Sequence, residues 1–228
     1  MTALRENGGQ AILSNPLVTL LFSVFFVATT IMGAGACATP PPPTAITVAL
    51  LVDATDSVAA PMPGAKTRRE AYLDATRYII RQLPSGSTLV LGRTCGVSEE
   101  LWNAPVTRKD FPKLTLVIES SLNSCNGRPA GTDLVGGLKW LERRSGAMTL
   151  IYVTDGLHTI AQPAATAKEE FLKALDRLPK PVRGRFWMLG LDESVRDQIA
   201  RRVAHASGLH DLENVVEQLG SSIRKGGN

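Results

Sequence analysis

The sequence has few of the residues that build sulfur or imidazole metal sites. It contains three cysteines and three histidines in 228 residues, with no C-x-x-C pair and no pair of histidines at ligand spacing. A zinc site of the usual cysteine or histidine type is therefore disfavoured. The chain also lacks a G-x-S-x-G motif, a P-loop and paired catalytic carboxylates with a histidine base, which are the common signatures of hydrolases and nucleotide-binding enzymes.

The charge balance is only mildly basic. There are 25 lysines and arginines against 21 aspartates and glutamates, for a net charge of +4. Most of the positive charges lie in helical segments beside acidic residues, as in Arg68, Arg69 and Glu70. Since no basic stripe interleaved with aromatic residues is present, we interpret these charges as solvated helix faces and expect no nucleic-acid partner.

An uncharged apolar segment runs from Leu17 to Ala38, about the length that crosses a bilayer as a helix. It ends in the small residues Gly33 to Ala36, directly before Cys37. This pattern is typical of an export signal. Three fates stay open: lipidation of Cys37, because AGAC resembles the bacterial lipobox apart from Ala34; cleavage at an A-x-A site; or an uncleaved anchor. Each places the folded part outside the cytoplasm, on the periplasmic or extracellular face, and the first and third attach it to the membrane.

The remaining chain is long enough for one domain. Residues 1–38 form the export segment, residues 39–44 a linker with the proline run Pro40–Pro43, and residues 45–226 the domain. Consecutive prolines favour an extended, semi-rigid spacer. About 185 residues with ordinary hydrophobic content are sufficient for a single substantial core.

Apolar runs and helical periodicity alternate from Ala45 onward, which predicts an α/β fold. Strands are expected at Ile46–Val52, Ser87–Thr94, Met148–Val153 and Arg185–Leu191, with Val106 a candidate for a short edge strand. Helices are expected before Leu83, after a cap at Asp110 (with an edge strand as the alternative), and at Asp133–Arg144, Ala167–Leu178, Asp192–Ser207 and Asp211–Arg224. The prediction is a Rossmann-like three-layer sandwich, with a mostly parallel central sheet and helices on both faces.

Oxygen-bearing side chains follow the predicted strand ends at three places. The first strand ends in Asp53 to Ser57, Thr132 opens a helix, and a later strand ends in Thr154-Asp155-Gly156. In open parallel sheets, ligands bind beyond the carboxyl ends of the strands. Carboxylates and hydroxyls without sulfur or imidazole suit a hard cation, so Mg²⁺, Mn²⁺ or Ca²⁺ is expected there.

These three motifs, DATDS, GTD and TDG, together resemble the metal-ion-dependent adhesion site of von Willebrand factor A (VWA) domains, whose consensus is D-x-S-x-S with a later threonine and a later aspartate. The resemblance extends from about Ala45 to Arg224 and includes the GTDL turn and the closing stretch IARRVAHASGLHDLENVVEQL. It implies that the metal ligands are Asp53, Thr55, Ser57, Thr132 and Asp155. Thr55 departs from the usual serine but keeps the hydroxyl.

The same resemblance implies a function. In VWA domains, the cation keeps an open coordination position that a partner protein fills with a glutamate or aspartate. We therefore expect a non-enzymatic, membrane-anchored binding protein, with Mg²⁺ as the first choice of cation. Two alternatives stay open: a metal-independent structural module of an envelope assembly, and a hydrolase of the haloacid dehalogenase type. The hydrolase needs D-x-D, and Thr55 stands where its second aspartate would be.

With Cys37 set aside, Cys95 and Cys125 remain. An even pair in an exported protein predicts one disulfide, which would join the end of the second strand to the loop before Thr132. Two unrelated buried thiols are the alternative.

Overall fold

The computed structural model describes residues 44–55, 66–122, 125, 131–159 and 164–225. Within these residues, six strands form one sheet in the order β3-β2-β1-β4-β5-β6. The strands are β1 (Thr47–Asp53), β2 (Thr88–Cys95), β3 (Val97–Pro105), β4 (Thr149–Val153), β5 (Phe186–Leu191) and β6 (His205–Gly208). Neighbouring strands are parallel except for the antiparallel pair β2–β3.

Helices cover both faces of this sheet. They are α1 (Arg68–Gln82), α2 (Phe111–Leu122), α3 (Leu134–Glu142), α4 (Ala164–Arg177), α5 (Lys180–Arg183), α6 (Glu193–Ala200) and α7 (Leu212–Arg224). Along β1, Val48 and Leu50 point into a core packed by α1, α2 and α7. Ala49 and Leu51 point into a second core packed by α3, α4, α5 and α6. The predicted three-layer α/β sandwich is confirmed.

The four strands predicted from apolar runs are confirmed, with ends that differ by at most one residue from the predicted ones. Their burial explains the success. Every residue of β4 and β5 is buried, and so are all residues of β1 except Thr47. A strand covered on both faces has no polar side, so it is recognised as a continuous apolar run.

The edge strand β3 was largely missed, because only Val106 was assigned to an edge. The strand covers Val97–Pro105 and pairs with β2 through a hairpin at Gly96, where φ is +76°. The segment that follows is helical, so the edge-strand alternative for it is wrong. Asp110 does not cap that helix directly: its carboxylate accepts the N–H and hydroxyl protons of Thr107, each at 2.8 Å, around a short 3₁₀ turn.

The helix predicted for Asp192–Ser207 is too long. Asp192 is the N-cap of α6, as expected, but α6 ends at Ala200 and the chain then forms β6. Pairing with β5 overrides the helical periodicity, and the His205 ring stacks on Trp187 with ring centroids 3.6 Å apart. Gly208 is therefore the last residue of a strand.

Several predictions fall outside the described residues. These are the export segment Leu17–Ala38 with Cys37, the proline run Pro40–Pro43, and the candidate ligand Ser57. They stay predictions, as do the domain boundaries. In the part of the chain that the structure describes, no helix combines the length and apolar character needed to cross a bilayer.

Candidate functional site

Two buried carboxylates lie at the carboxyl ends of the adjacent strands β1 and β4. Asp53 is the last residue of β1, and Asp155 follows β4 by two positions. The pairing of Val52 with Val153 aligns the two strand ends. Both aspartates have no solvent exposure. The parallel register thus brings the first and third sequence motifs to one edge of the sheet.

The two threonines join Asp53 in a chain of hydrogen bonds. The Thr55 hydroxyl donates to Asp53 Oδ1 at 2.7 Å, and Thr55 Oγ1 lies 2.9 Å from Thr132 Oγ1. Because the Thr55 proton goes to the carboxylate, the Thr132 hydroxyl donates to Thr55. Four of the five predicted ligand positions, Asp53, Thr55, Thr132 and Asp155, therefore lie at the same edge of the sheet.

Further donors fix the orientation of the Asp53 carboxylate. The Thr55 N–H donates to Oδ1 at 3.0 Å, and the Thr154 hydroxyl donates to Oδ2 at 2.8 Å. Thr154 Oγ1 in turn accepts the Gly156 N–H at 3.1 Å. Thr154 is not among the ligands that the resemblance implies, although it belongs to the TDG motif. Its position between the strand and Asp155 was the available signal.

Burial, together with the smaller effect of the negative charge of Asp155, raises the pKa of Asp53 from 3.8 to about 7. The hydrogen bonds from Thr55 and Thr154 oppose this increase but do not cancel it. The ionised form of Asp53 is therefore incompletely compensated by the surrounding protein. A cation placed between these oxygens would stabilise the ionised form of Asp53.

Arg68 supplies positive charge to the other carboxylate. Its Nη1 donates to Asp155 Oδ2 at 3.1 Å, and its Nη2 donates to Asp192 Oδ2 at 3.5 Å. The side chain is only 18% exposed. A capping box formed by Thr67 and Glu70 starts α1 and places Arg68 at its first position. The interpretation of Arg68 as part of a solvated helix face was wrong, because the contact depends on tertiary proximity.

Residues of the segment after β4 form hydrogen bonds to both Asp155 and Thr132. The Leu157 N–H donates to Asp155 Oδ1 at 2.9 Å. Between them, Gly156 has φ +75°, and a Cβ there would lie 2.9 Å from Leu191 Cδ2. Glycine is therefore required for this turn.

His158 and Thr159 contact the backbone around Thr132. Thr159 Oγ1 accepts the Thr132 N–H at 2.8 Å. His158 Nδ1 lies 2.8 Å from the Thr132 carbonyl oxygen and 3.1 Å from the Leu134 nitrogen. As a lone histidine that closely follows the third motif, His158 is expected from the sequence to be a loop residue and not a ligand. It follows the strand as expected, but it is buried and supports the segment that carries Thr132.

The predicted disulfide between Cys95 and Cys125 is confirmed, with the two Cα atoms 5.6 Å apart. Cys125 Sγ lies 2.7 Å from the carbonyl oxygen of Ala54. Since Ala54 stands between Asp53 and Thr55, the disulfide packs against the backbone of the first motif. It thus supports this segment and also closes the loop between Cys95 and Cys125.

The donor set fits a hard divalent cation. No cluster of three or more histidine, cysteine, aspartate or glutamate side chains that could hold a metal occurs among the described residues. The edge instead offers two carboxylates, Asp53 and Asp155, and two hydroxyls, Thr55 and Thr132. All of these donors are oxygens, which magnesium, manganese and calcium prefer over sulfur or nitrogen.

No protein-family model matches the sequence, and no curated protein is similar to it at a significant level. Solved structures do share its architecture. A von Willebrand factor type A protein from Catenulispora acidiphila superposes with a TM-score of 0.52 at 15% identity over 79% of this chain, which spans 43% of that protein. An aerotolerance-related membrane protein from Bacteroides fragilis gives a TM-score of 0.55 at 14% identity, over 79% of this chain and 99% of that one.

A third similar structure is proximal thread matrix protein 1 from the mussel byssus, solved with a zinc-occupied metal-ion-dependent adhesion site. Its TM-score is 0.51 at 13% identity, over 81% of this chain and 48% of that one. At these identities the comparisons show the architecture alone. The chain therefore has the von Willebrand factor A fold.

Proposed function

We propose that this chain is a non-enzymatic, divalent-cation-dependent protein-binding domain of an exported, membrane-anchored protein. The observation that carries the proposal is the meeting of Asp53, Thr55, Thr132 and Asp155 at one sheet edge. Ser57, two positions beyond Thr55, would complete the ligand set.

The donor types suggest how such a cation would behave. Hydroxyl ligands carry no formal charge, and the charge of Asp155 is shared with Arg68. A cation held mainly by these groups remains electrophilic and attracts a further anionic ligand. A glutamate or aspartate from a partner protein has the charge and the oxygen donors for this role. Mg²⁺ is our first choice of cation, and the zinc in the byssus protein supports a divalent ion at a site of this kind.

Two further observations support export. The apolar segment before Cys37 is typical of a signal, and the similar structure from Bacteroides fragilis is that of a membrane protein. We propose the same setting here, with the domain on the periplasmic or extracellular face and the lipid-modified Cys37 as the first choice of anchor. Mass spectrometry of the chain purified from its native membrane tests this, since an acylated N-terminal Cys37 peptide is expected.

The binding proposal is tested with paired peptides that differ only in one acidic residue. The full chain is loaded with Mg²⁺ and presented with peptides bearing glutamate or aspartate and with their glutamine or asparagine counterparts. We expect binding to acidic members only, and loss of that binding in excess chelator. Thr132→Val should behave like the chelated protein, because it keeps the side-chain shape but removes one hydroxyl donor.

Thr115→Val is the matched control, because the Thr115 hydroxyl donates to the Phe111 carbonyl within α2 and makes no contact with the site. Its peptide binding should equal that of the unchanged chain. Binding that survives chelator, or that is equally strong for glutamine peptides, contradicts the proposal.

A second candidate function is a metal-independent structural module, and one contact favours it. The Arg68 guanidinium already neutralises part of the buried charge at Asp155 without any metal. This candidate predicts that partner recruitment in the native envelope is unchanged by Thr132→Val. The hydrolase alternative has less support, because the Thr55 hydroxyl occupies the position where a second catalytic aspartate would be required.

A further inference from the structure

Positive charge collects at the end of the sheet where the parallel strands begin, opposite the Asp53 site. We call this end of the sheet the basic end. It is defined by five exposed side chains, Arg81, Arg108, Lys109, Arg224 and Lys225. The opposite end carries the aspartates that follow strands or cap helices. No local pattern in the sequence shows this polarity, because the five cations lie on three segments that are far apart along the chain.

The three arginines of the basic end line one cavity of about 330 Å³. It lies between the end of α1, the segment that precedes α2, and the end of α7, and Arg81, Arg108 and Arg224 reach it from these three places. None of the three forms an ion pair with a carboxylate in the described part of the chain. The Arg224 guanidinium donates to Gln82 and Ser221, which are both neutral. The cavity thus presents several guanidinium groups and no compensating anion among the described residues.

The chain enters the domain beside this cavity. The Ile46 N–H donates to Ser87 Oγ at 3.1 Å, and the Val106 N–H donates to the Ser87 carbonyl at 2.8 Å. Val106 itself lines the cavity. Ile46 immediately precedes β1, so the first described residues, 44–46, lie at the basic end. The apolar segment Leu17–Ala38 precedes them in the sequence.

We propose that the basic end docks on the anionic phospholipids of the membrane that holds the N-terminal segment, with a headgroup phosphate in the cavity of Arg81, Arg108 and Arg224. A planar guanidinium presents paired donors that match phosphate oxygens, and several can share one phosphate group. The attraction of basic residues to an anionic surface falls off within a Debye length, and attachment of the chain to the same membrane would raise the effective concentration of the basic end at that surface. The Asp53 site would then face away from the membrane, toward partners. This inference rests on membrane attachment and not on cation binding.

Hydrogen exchange of the full chain reconstituted in lipid vesicles tests the proposal. One set of vesicles contains phosphatidylcholine alone, and the other contains phosphatidylglycerol in addition. The backbone amides of residues 81–87 and 106–113 should exchange at least about fivefold more slowly on the anionic vesicles than on phosphatidylcholine alone. The reason is that binding to the lipid surface opposes local opening of these segments. High salt should remove the difference, since the attraction is electrostatic.

The triple variant Arg81→Gln, Arg108→Gln and Arg224→Gln should exchange equally on both kinds of vesicle. The matched triple variant Lys66→Gln, Lys168→Gln and Lys173→Gln loses the same charge away from the basic end and should keep the protection. Arg108→Gln alone removes a side chain that forms no hydrogen bond or ion pair among the described residues. This single variant should lose part of the protection, even if the triple variant folds poorly.

Equal exchange on both vesicle types overturns the proposal, and so does loss of protection in the matched variant. Protection by heparin or DNA in solution without protection by phosphatidylglycerol overturns it too, in favour of a polyanionic polymer as the partner.

Discussion

The hydroxyl oxygens of Thr55 and Thr132 lie 2.9 Å apart, although the residues are separated by 77 positions in the chain. Thr55 follows β1, and Thr132 stands directly before Asp133, the N-cap of α3. Their contact continues to Asp53, so three oxygen donors from two distant segments are connected by hydrogen bonds. Donors held in this way are oriented before any cation arrives, which reduces the entropy lost on binding.

Replacing Thr132 with valine tests whether this arrangement binds a cation. The side chain is 1% exposed, and valine keeps its shape while removing the hydroxyl. We expect the affinity for Mg²⁺ to fall by at least about tenfold, the loss typical when a group that holds or orients a metal is removed. Thr132→Ser keeps the hydroxyl oxygen, so its affinity for Mg²⁺ should stay within a few fold of that of the unchanged chain. Calorimetric titration with MgCl₂ measures both variants, and equal affinity of Thr132→Val and the unchanged chain contradicts the assignment.

The raised pKa of Asp53 predicts how the stability of the metal-free protein depends on pH. Since the pKa is about 7 in the folded state and 3.8 in the reference state, folding favours the protonated carboxyl. This contribution is fully present below about pH 4 and is lost as the pH rises through about 7. A change of about three units corresponds to roughly 4 kcal/mol. The metal-free Asp53→Asn variant, which cannot ionise there, should therefore gain stability relative to the unchanged chain between pH 4 and pH 8.

Denaturant unfolding in chelator measures this difference at each pH. Asp197→Asn removes the same charge from an exposed position on α6 and serves as the control. A difference between Asp53→Asn and the unchanged chain that does not vary with pH would contradict the raised pKa. Addition of Mg²⁺ should flatten the pH dependence of the unchanged chain, because a bound cation favours the ionised carboxylate.

Much of the fold could be predicted because burial leaves a simple pattern in the sequence. The runs ITVALLV, MTLIYV and RFWMLGL are mostly apolar, since helices cover both faces of β1, β4 and β5. The two edge strands could not be found in this way. β3 keeps exposed polar residues along its length, and β6 is four residues long and follows a helical pattern without a break. Only the pairing with a neighbouring strand determines their conformation.

The meeting of the three motifs was predictable because each stands at the carboxyl end of a recognisable strand or at the start of a helix, and parallel strands share one binding edge. The choice of Asp53, Thr55, Thr132 and Asp155 within these motifs came from the resemblance to VWA domains. The contact of Arg68 with Asp155 joins residues 87 positions apart and depends on how α1 packs. No local pattern marks such a residue, so its part in the site required coordinates.

The disulfide should stabilise both the fold and the site. Cys95 and Cys125 are separated by 30 positions, and a closed loop of this length contributes roughly 3 to 4 kcal/mol in the chain-entropy treatment. Cys95→Ser combined with Cys125→Ser should lower the free energy of unfolding by about that amount. It should also weaken Mg²⁺ binding, because Cys125 packs against the Ala54 carbonyl. Cys37→Ser, which leaves the pair intact, should change neither property. Denaturant unfolding measures the loss of stability, and calorimetric titration measures the affinity for Mg²⁺. Unchanged Mg²⁺ affinity in the double variant contradicts the inference that the disulfide supports the site.

Arg68 should compete with a divalent cation for Asp155, since both are positive and the guanidinium already donates to Oδ2 at 3.1 Å. Arg68→Met keeps an apolar stem but leaves a buried carboxylate without its ion pair. The metal-free variant should therefore lose about 3 kcal/mol of stability. Its affinity for Mg²⁺ should rise by roughly tenfold, because about 1.4 kcal/mol of lost repulsion corresponds to that factor.

Arg69→Met is the neighbouring control, since Arg69 forms no ion pair in the described part of the chain. Calorimetric titration and unfolding in chelator measure the two effects. If Mg²⁺ affinity falls in Arg68→Met, the guanidinium assists the cation and does not compete with it.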